Sequence, residues 1–195
     1  MGRPSVQAER KQEILDAFEK CVALYGIEGA TLERIAEVSG LSRPLIRHHA
    51  GNRDDLLAGL GERFQERAEA LTETLVREIS GDDRANSLLN RLFEEHKSDF
   101  ELVLFAEALI ASSANHPELE KVVVQWIQGF HEAVEAQLRA AYPEASGERV
   151  QVVATGIVGI YFNANSLAPL TELAELRPDS MAAARLLVES LSDRG

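Results

Sequence analysis

Five basic side chains, Arg43, Arg47, Arg53, His48 and His49, fall in the stretch from Val38 to Arg53, and no carboxylate lies among them. Guanidinium groups at this density hold phosphate oxygens or read the acceptor edge of guanine, and His48 can contact either. Pro44 and Leu45, set between them, offer the apolar contact that a thymine methyl takes. Thr31 and Ser42 add hydroxyls where short helices would begin, and such ends, with their free backbone N–H groups, bind phosphate. Arg3, in the leading Gly-Arg-Pro, can lie in an adjacent minor groove as basic arms do, or be a frayed charged terminus. Catalytic chemistry is not signalled. The sequence has no Gly-x-x-x-x-Gly-Lys loop, no Gly-x-Ser-x-Gly elbow and no His-Glu-x-x-His, and none of its five histidines stands three residues after a Glu. His96, His116 and His131 are scattered and read as capped or half-buried residues, so no catalytic residue, metal or cofactor is expected.

The cationic cluster has a bland counterpart, a solvated helix face that merely lacks acids. The whole chain is acidic, with a formal net charge of −12 and a pI near 4.9, which by itself argues against a nucleic-acid partner. The acidity is segregated, however. Residues 1–53 carry eight Lys/Arg against seven Asp/Glu, leaving 12 against 25 for residues 54–195. With 195 residues, 45% hydrophobic and 27% charged, the chain has the composition of one large or two small globular domains. Its single cysteine, Cys21, excludes an internal disulfide framework and suits a reducing cytoplasm. Charges occupy the N-terminal stretch where a secretory signal needs an apolar run, so no export signal is expected.

Apolar spacings of three and four recur almost throughout, which predicts an all-α protein. A first helix over about 6–25 would bury Ile14, Phe18, Cys21 and Val22 and end at Gly26. Two short helices follow, one capped by Thr31 and stopped by Gly40, the other capped by Ser42 with Pro44 in its first turn. Helix, Gly-containing turn and basic helix, over about 31–50, is the pattern of a DNA-reading helix-turn-helix. On the second helix Arg43, Pro44, Arg47 and His48 form an outward stripe, with Leu45, Ile46 and His49 turned inward towards Leu32, Ile35 and Leu41. Asn52 and Asp55, at capping-box spacing, open a long helix reaching about Ser80. Further helices are expected at about 84–98, 99–114, 117–141, 146–170 and 178–193.

These residues, Ile14-Leu15 with Phe18, Tyr25-Gly26, Thr31, Ile35-Ala36, Ser39-Gly40, Ser42, Leu45-Ile46, His48-His49, Arg53 and Leu56, resemble the pattern of the TetR/AcrR family of bacterial ligand-responsive repressors. The resemblance covers roughly residues 8–60. It departs at Arg47 and Ala50, where the family often has aromatics, and at Arg53, where it has lysine. The resemblance implies an N-terminal helix-turn-helix domain, residues 1–53, joined by a long helix to a helical ligand-binding and dimerisation domain, residues 54–195. It implies double-stranded DNA contacts from Thr31, Ser42, Arg43, Pro44, Leu45, Arg47, His48, His49 and Arg53. It further implies a cytoplasmic homodimer on a pseudo-palindromic operator, released by a small-molecule effector. A helical carrier or sensor without operator binding is the alternative.

In the acidic region, Phe93, His96, Phe100, Val103, Leu104, Trp126, Phe130, Tyr161, Phe162 and Asn163 would line an apolar ligand pocket, or form an ordinary core. Residues 150–171 carry no charge. That length could span a bilayer, but Gln151, Thr155, Asn163, Asn165, Ser166, Pro169 and Thr171 lower its hydrophobicity, so a buried helix and no membrane partner are expected. Its excess apolar surface would be buried in a two-fold four-helix bundle with the terminal helix, through Gly156, Gly159, Ala184, Leu187, Val188 and Leu191.

Overall fold

Glycines and capping side chains set the helix boundaries that matter most. The computed structural model describes residues 6–79, 83–94, 96–173 and 175–192, and no strand forms among them. The first helix, α1 (Val6–Gly29), breaks at Gly26, where φ is 68° and ψ 172°, a conformation glycine adopts without a Cβ clash. The turn after the break carries Ile27 and Ala30 into the core. α2 (Leu32–Ser39) starts at Thr31, whose hydroxyl accepts from the Arg34 N–H at 3.4 Å, and stops at left-handed Gly40, φ 69°. α3 (Arg43–Ala50) follows, with Pro44 in the first turn, where no N–H is missed. Ser42 occupies its N-cap position but makes no side-chain capping bond, so the expected hydroxyl cap is absent.

α4 (Arg53–Glu78) opens on the expected reciprocal cap. Asn52 Oδ1 accepts from the N–H groups of Asp54 and Asp55 at 2.7 and 3.0 Å, and Asp55 Oδ2 accepts from the Asn52 N–H at 2.8 Å. α5 (Arg84–Phe93), α6 (Lys97–Ser112), α7 (Pro117–Ala141), α8 (Gly147–Ser166) and α9 (Leu176–Glu189) follow, with a 3-10 turn at Thr171–Leu173. α5 is shorter than expected because Glu94 turns extended, φ −64° and ψ 150°. α8 ends at Ser166, three residues ahead of Pro169, which cannot continue a helix.

The chain divides into two compact units, Met1–Glu66 with Phe105–Val124 and Arg67–Leu104 with Gln125–Gly195. The sequence-based expectation is one cut at 53/54; by these bounds α4, α6 and α7 each contribute residues to both units. The first unit buries Ile14, Leu15, Phe18, Cys21 and Val22 of α1 with Ile35, Ile46, Leu56, Leu60 and Phe64. Phe64 and Phe105 meet edge to face at 5.5 Å. At Gly59 a Cβ would stand only 3.0 Å from Leu15, so α1 and α4 approach closely there.

In the second unit α9 packs on α8 and α5. Leu187 fills the space above Gly156, where a Cβ would lie 2.7 Å from Leu187 Cδ1. The uncharged stretch is not buried all round. Val150, Val153, Ala154, Ile157, Val158 and Tyr161 face inward, but Val152, Thr155, Gly159 and Asn163 are exposed, a spacing of three and four that marks one open face. Among the described residues no helix is long and apolar enough to cross a membrane.

Candidate nucleic-acid interface

The C-terminal end of α1 is held by two arginines. α1 stops at Gly29, and the last carbonyls of a helix have no following turn to donate to them. Arg34 Nη1 donates to the Gly29 carbonyl at 2.5 Å, its guanidinium 4.1 Å from the Tyr25 ring centroid. Arg53 donates from Nη1 to the Ala30 carbonyl at 2.5 Å and from Nη2 to the Ile27 carbonyl, with its guanidinium 5.3 Å from the Phe18 ring centroid. The guanidinium expected to face phosphate therefore ties the start of α4 to the α1–α2 junction.

On α3 the buried face is Ile46 with Ala50. Arg43, Pro44, Arg47 and His48 are exposed, as the outward stripe requires, and His49 is half-buried. Leu45 is a correction: it is 45% exposed, because it stands about 100° round the helix from Ile46. His48 and His49 meet edge-on at 4.9 Å, and His49 Nδ1 is buried without a hydrogen-bond partner. Thr31 and Ser42 are exposed at the starts of α2 and α3.

A surface cleft of about 380 Å³ gathers Thr31, Leu32, Arg43, Arg47 and Arg53 with two carboxylates, Glu28 and Glu33. Both acids lie outside the Val38–Arg53 stretch, and sequence reasoning missed them. Glu33 Oε1 accepts from Arg43 Nη1 at 2.7 Å. Glu28 Oε1 lies 3.0 Å from His116 Nε2. The Arg47 side chain, by contrast, makes no hydrogen bond or ion pair among the described residues.

Of the expected pocket residues in the second unit, Trp126, Phe130, Tyr161 and Phe162 form one aromatic cluster with centroid separations of 5.1 to 6.3 Å. Phe93 and Val103 are buried, and Leu104 and His96 are partly so, with His96 Nε2 lacking a hydrogen-bond partner. Asn163 is exposed and stands apart from that interior. Arg3 and the Phe100 side chain lie outside the described residues. Missed in the sequence is a buried ionic group: Arg91 Nη1 donates to Asp99 Oδ2 at 2.8 Å, and the Tyr161 hydroxyl donates to the same oxygen at 3.3 Å. Burial, and then the neighbouring Asp99 charge, push the Tyr161 phenol well above its ordinary value. Burial alone would lower Arg91, but Asp99 and Glu78 hold it above its usual range. The only signal for this group was one arginine on the apolar face Leu88, Leu92.

Near that group, Arg67, Ala70, Leu71, Thr74, Arg91, Glu101 and Leu102 line an open cleft of about 400 Å³, and none of the expected pocket residues is among them. Of the six residues expected at a dimer interface, Ala184, Val188 and Leu191 are buried within the subunit at 0, 4 and 5% exposure, and Leu187 covers Gly156. Their apolar surface is turned into the subunit, where α9 packs on α8 and α5. Gly159 alone of the six is exposed, with nothing near its Cβ position. Among the described residues no three His, Cys, Asp or Glu side chains gather as metal ligands would.

Residues 14–60 match the family model described as bacterial regulatory proteins, tetR family. Residues 80–194 match the model described as tetracyclin repressor-like, C-terminal domain. The HTH-type transcriptional repressor AcnR of Corynebacterium jeikeium is 53% identical over 49 residues, 25% of this chain and 26% of that protein. AcnR of Corynebacterium glutamicum is 39% identical over 70 residues, 35% of this chain and 37% of that protein. The chain thus matches well under half the length of these curated relatives. Among solved structures, a TetR-family transcriptional regulator from Cytophaga hutchinsonii aligns with a TM-score of 0.74 at 13% identity, covering 97% of this chain and 98% of that one. The SmeT–triclosan complex aligns with a TM-score of 0.70 at 23% identity, covering 93% and 91%.

Proposed function

The chain belongs to the tetR family of bacterial regulatory proteins, and from that premise we propose that it is a cytoplasmic DNA-binding transcriptional repressor that responds to a small molecule. The observation that carries the reading is the exposed face of α3. Arg43, Pro44, Leu45, Arg47 and His48 stand in solvent on a helix whose other side is anchored by Ile46 and Ala50, within the stretch that matches the family model. α3 enters a major groove with its N-terminal residues leading. Arg43 reads a base edge, Arg47 holds phosphate, Pro44 and Leu45 meet a thymine methyl, and His48 and the Thr31 and Ser42 hydroxyls contact backbone or base. His49 and Arg53 support the face from behind. Arg3 follows the minor groove.

Residues 1–53 act as the DNA-binding domain and 54–195 as the ligand-binding and dimerisation domain. The effector occupies the second unit beside the Trp126–Phe130–Tyr161–Phe162 cluster. It releases DNA because it binds better to the arrangement that does not fit the operator, the condition any linkage of two sites must meet. A two-fold dimer matches a pseudo-palindromic operator. The test is titration of the full chain against genomic fragments at several salt concentrations, then against the same fragments with candidate metabolites added. Salt-dependent binding of particular fragments, weakened in an Arg43→Ala/Arg47→Ala variant, supports the reading. Indistinguishable curves for wild type and that variant refute it.

A further inference from the structure

Arg43 is the first residue of α3, and in a docking led by the start of that helix it is among the first side chains to reach the bases. Its guanidinium is already engaged, across the turn from α3 to α2, by Glu33 at 2.7 Å. The two side chains are 69% and 59% exposed, Glu33 first, so the pair contributes little to folding. A carboxylate on a face that meets phosphate opposes binding. The other arginines of the cleft are used differently, Arg53 being tied to the Ala30 and Ile27 carbonyls and the Arg47 side chain making no hydrogen bond or ion pair among the described residues.

We propose that Glu33 is a positioning residue that converts Arg43 from a phosphate clamp into a base reader, so that it sets specificity at the expense of affinity. The inference rests on the reading of α3 as a DNA contact. A guanidinium has five N–H donors, and giving one to Glu33 leaves enough for a bidentate approach to a pair of acceptors such as guanine O6 and N7. An arginine held in this way has already lost part of the rotamer freedom that binding would cost. The same carboxylate offsets the arginine's charge and repels a nearby phosphate, which weakens attachment to DNA of arbitrary sequence. Removing that charge therefore tightens indiscriminate binding and blunts discrimination.

The experiment uses the full chain as wild type, Glu33→Gln, Glu33→Asp, Arg43→Ala and the Glu33→Gln/Arg43→Ala double variant. The probes are a duplex enriched by the wild type from a random pool and a scrambled duplex, each measured across a sodium chloride series. Glu33→Gln is expected to bind the scrambled duplex several-fold tighter and to steepen the log–log salt slope by about 0.9, one further phosphate's worth. Its preference for the enriched duplex should fall about tenfold. Glu33→Asp should move slope and preference back towards wild type, and in the Arg43→Ala background Glu33→Gln should change neither. An unchanged slope and preference in Glu33→Gln, or the same change without Arg43, overturns the assignment to Glu33. A wild type that enriches no sequence at any salt overturns the DNA-binding reading itself, and this proposal with it.

Discussion

Arg53 and Tyr161 carry hydrogen bonds that cross between elements, part-buried at Arg53 and buried at Tyr161, and each makes a prediction of its own. Arg53 serves two carbonyls at the end of α1, so Arg53→Ala should destabilise the first unit by about 2–3 kcal/mol, read from denaturant unfolding. An unchanged midpoint with weakened DNA binding would return Arg53 to the phosphate. Tyr161 is held in its neutral form because burial and Asp99 both disfavour the phenolate. Its proton is bound more tightly folded than unfolded, so its contribution is complete below the unfolded value, about 10, and is lost as pH rises above it. Above pH 9 wild-type stability should fall more steeply than that of Tyr161→Phe, the difference in slope approaching about 1.4 kcal/mol per pH unit once the pH is well above 10. Parallel curves would remove the phenol from the buried group.

At the scale of elements, local chemistry sets the boundaries in the N-terminal region and tertiary packing sets the faces. Asn52 closes the start of α4 with two accepted bonds, reciprocated by Asp55. Asn52→Ala should therefore cost about 1–2 kcal/mol in denaturant unfolding, and Asn52→Ser should recover most of it. An equal loss in both variants would mean that the cap is not what Asn52 supplies. These starts and stops, Thr31, Gly40 and Asn52 with Asp55, were legible because capping acts over three or four residues. The faces were less so. Leu45 and Val152 are apolar and exposed, since periodicity gives the relative angle of residues on a helix but not how wide a wedge its neighbours cover.

For the whole molecule, the proposed dimer would have to use apolar residues that α8 and α9 leave exposed. Val152 is 66% and Leu186 69% exposed, with Gly159 free between turns, and in the proposed dimer these replace the residues spent inside the subunit. Leu186→Glu and Gly159→Glu should lower the sedimentation coefficient to that of a folded monomer near 21.4 kDa, with helix content kept. Leu187→Glu should instead destabilise the subunit, because that side chain lies on Gly156. A wild type that is monomeric at all concentrations, or a Leu186→Glu variant that stays dimeric, would rule out this face.

Helical class, the order of short helices around Gly40, the capped start of α4 and the basic stripe of Arg43, Arg47 and His48 were all determined by residues close in sequence. Period, caps and left-handed turns are local interactions, and local interactions leave local patterns. Tertiary structure decided the pairings that span the chain. Nothing within ten residues of Arg53 indicates that it reaches Ala30 and Ile27, and the charge count over 38–53 could not include Glu33, which enters the cleft only when α2 folds against α3. Arg91 meets Asp99 across a break between helices, and Ala184 with Val188 is buried inside the subunit, where α9 packs on α8 and α5. A charged or apolar side chain has the same chemistry wherever it stands, and only the fold determines which neighbour satisfies it.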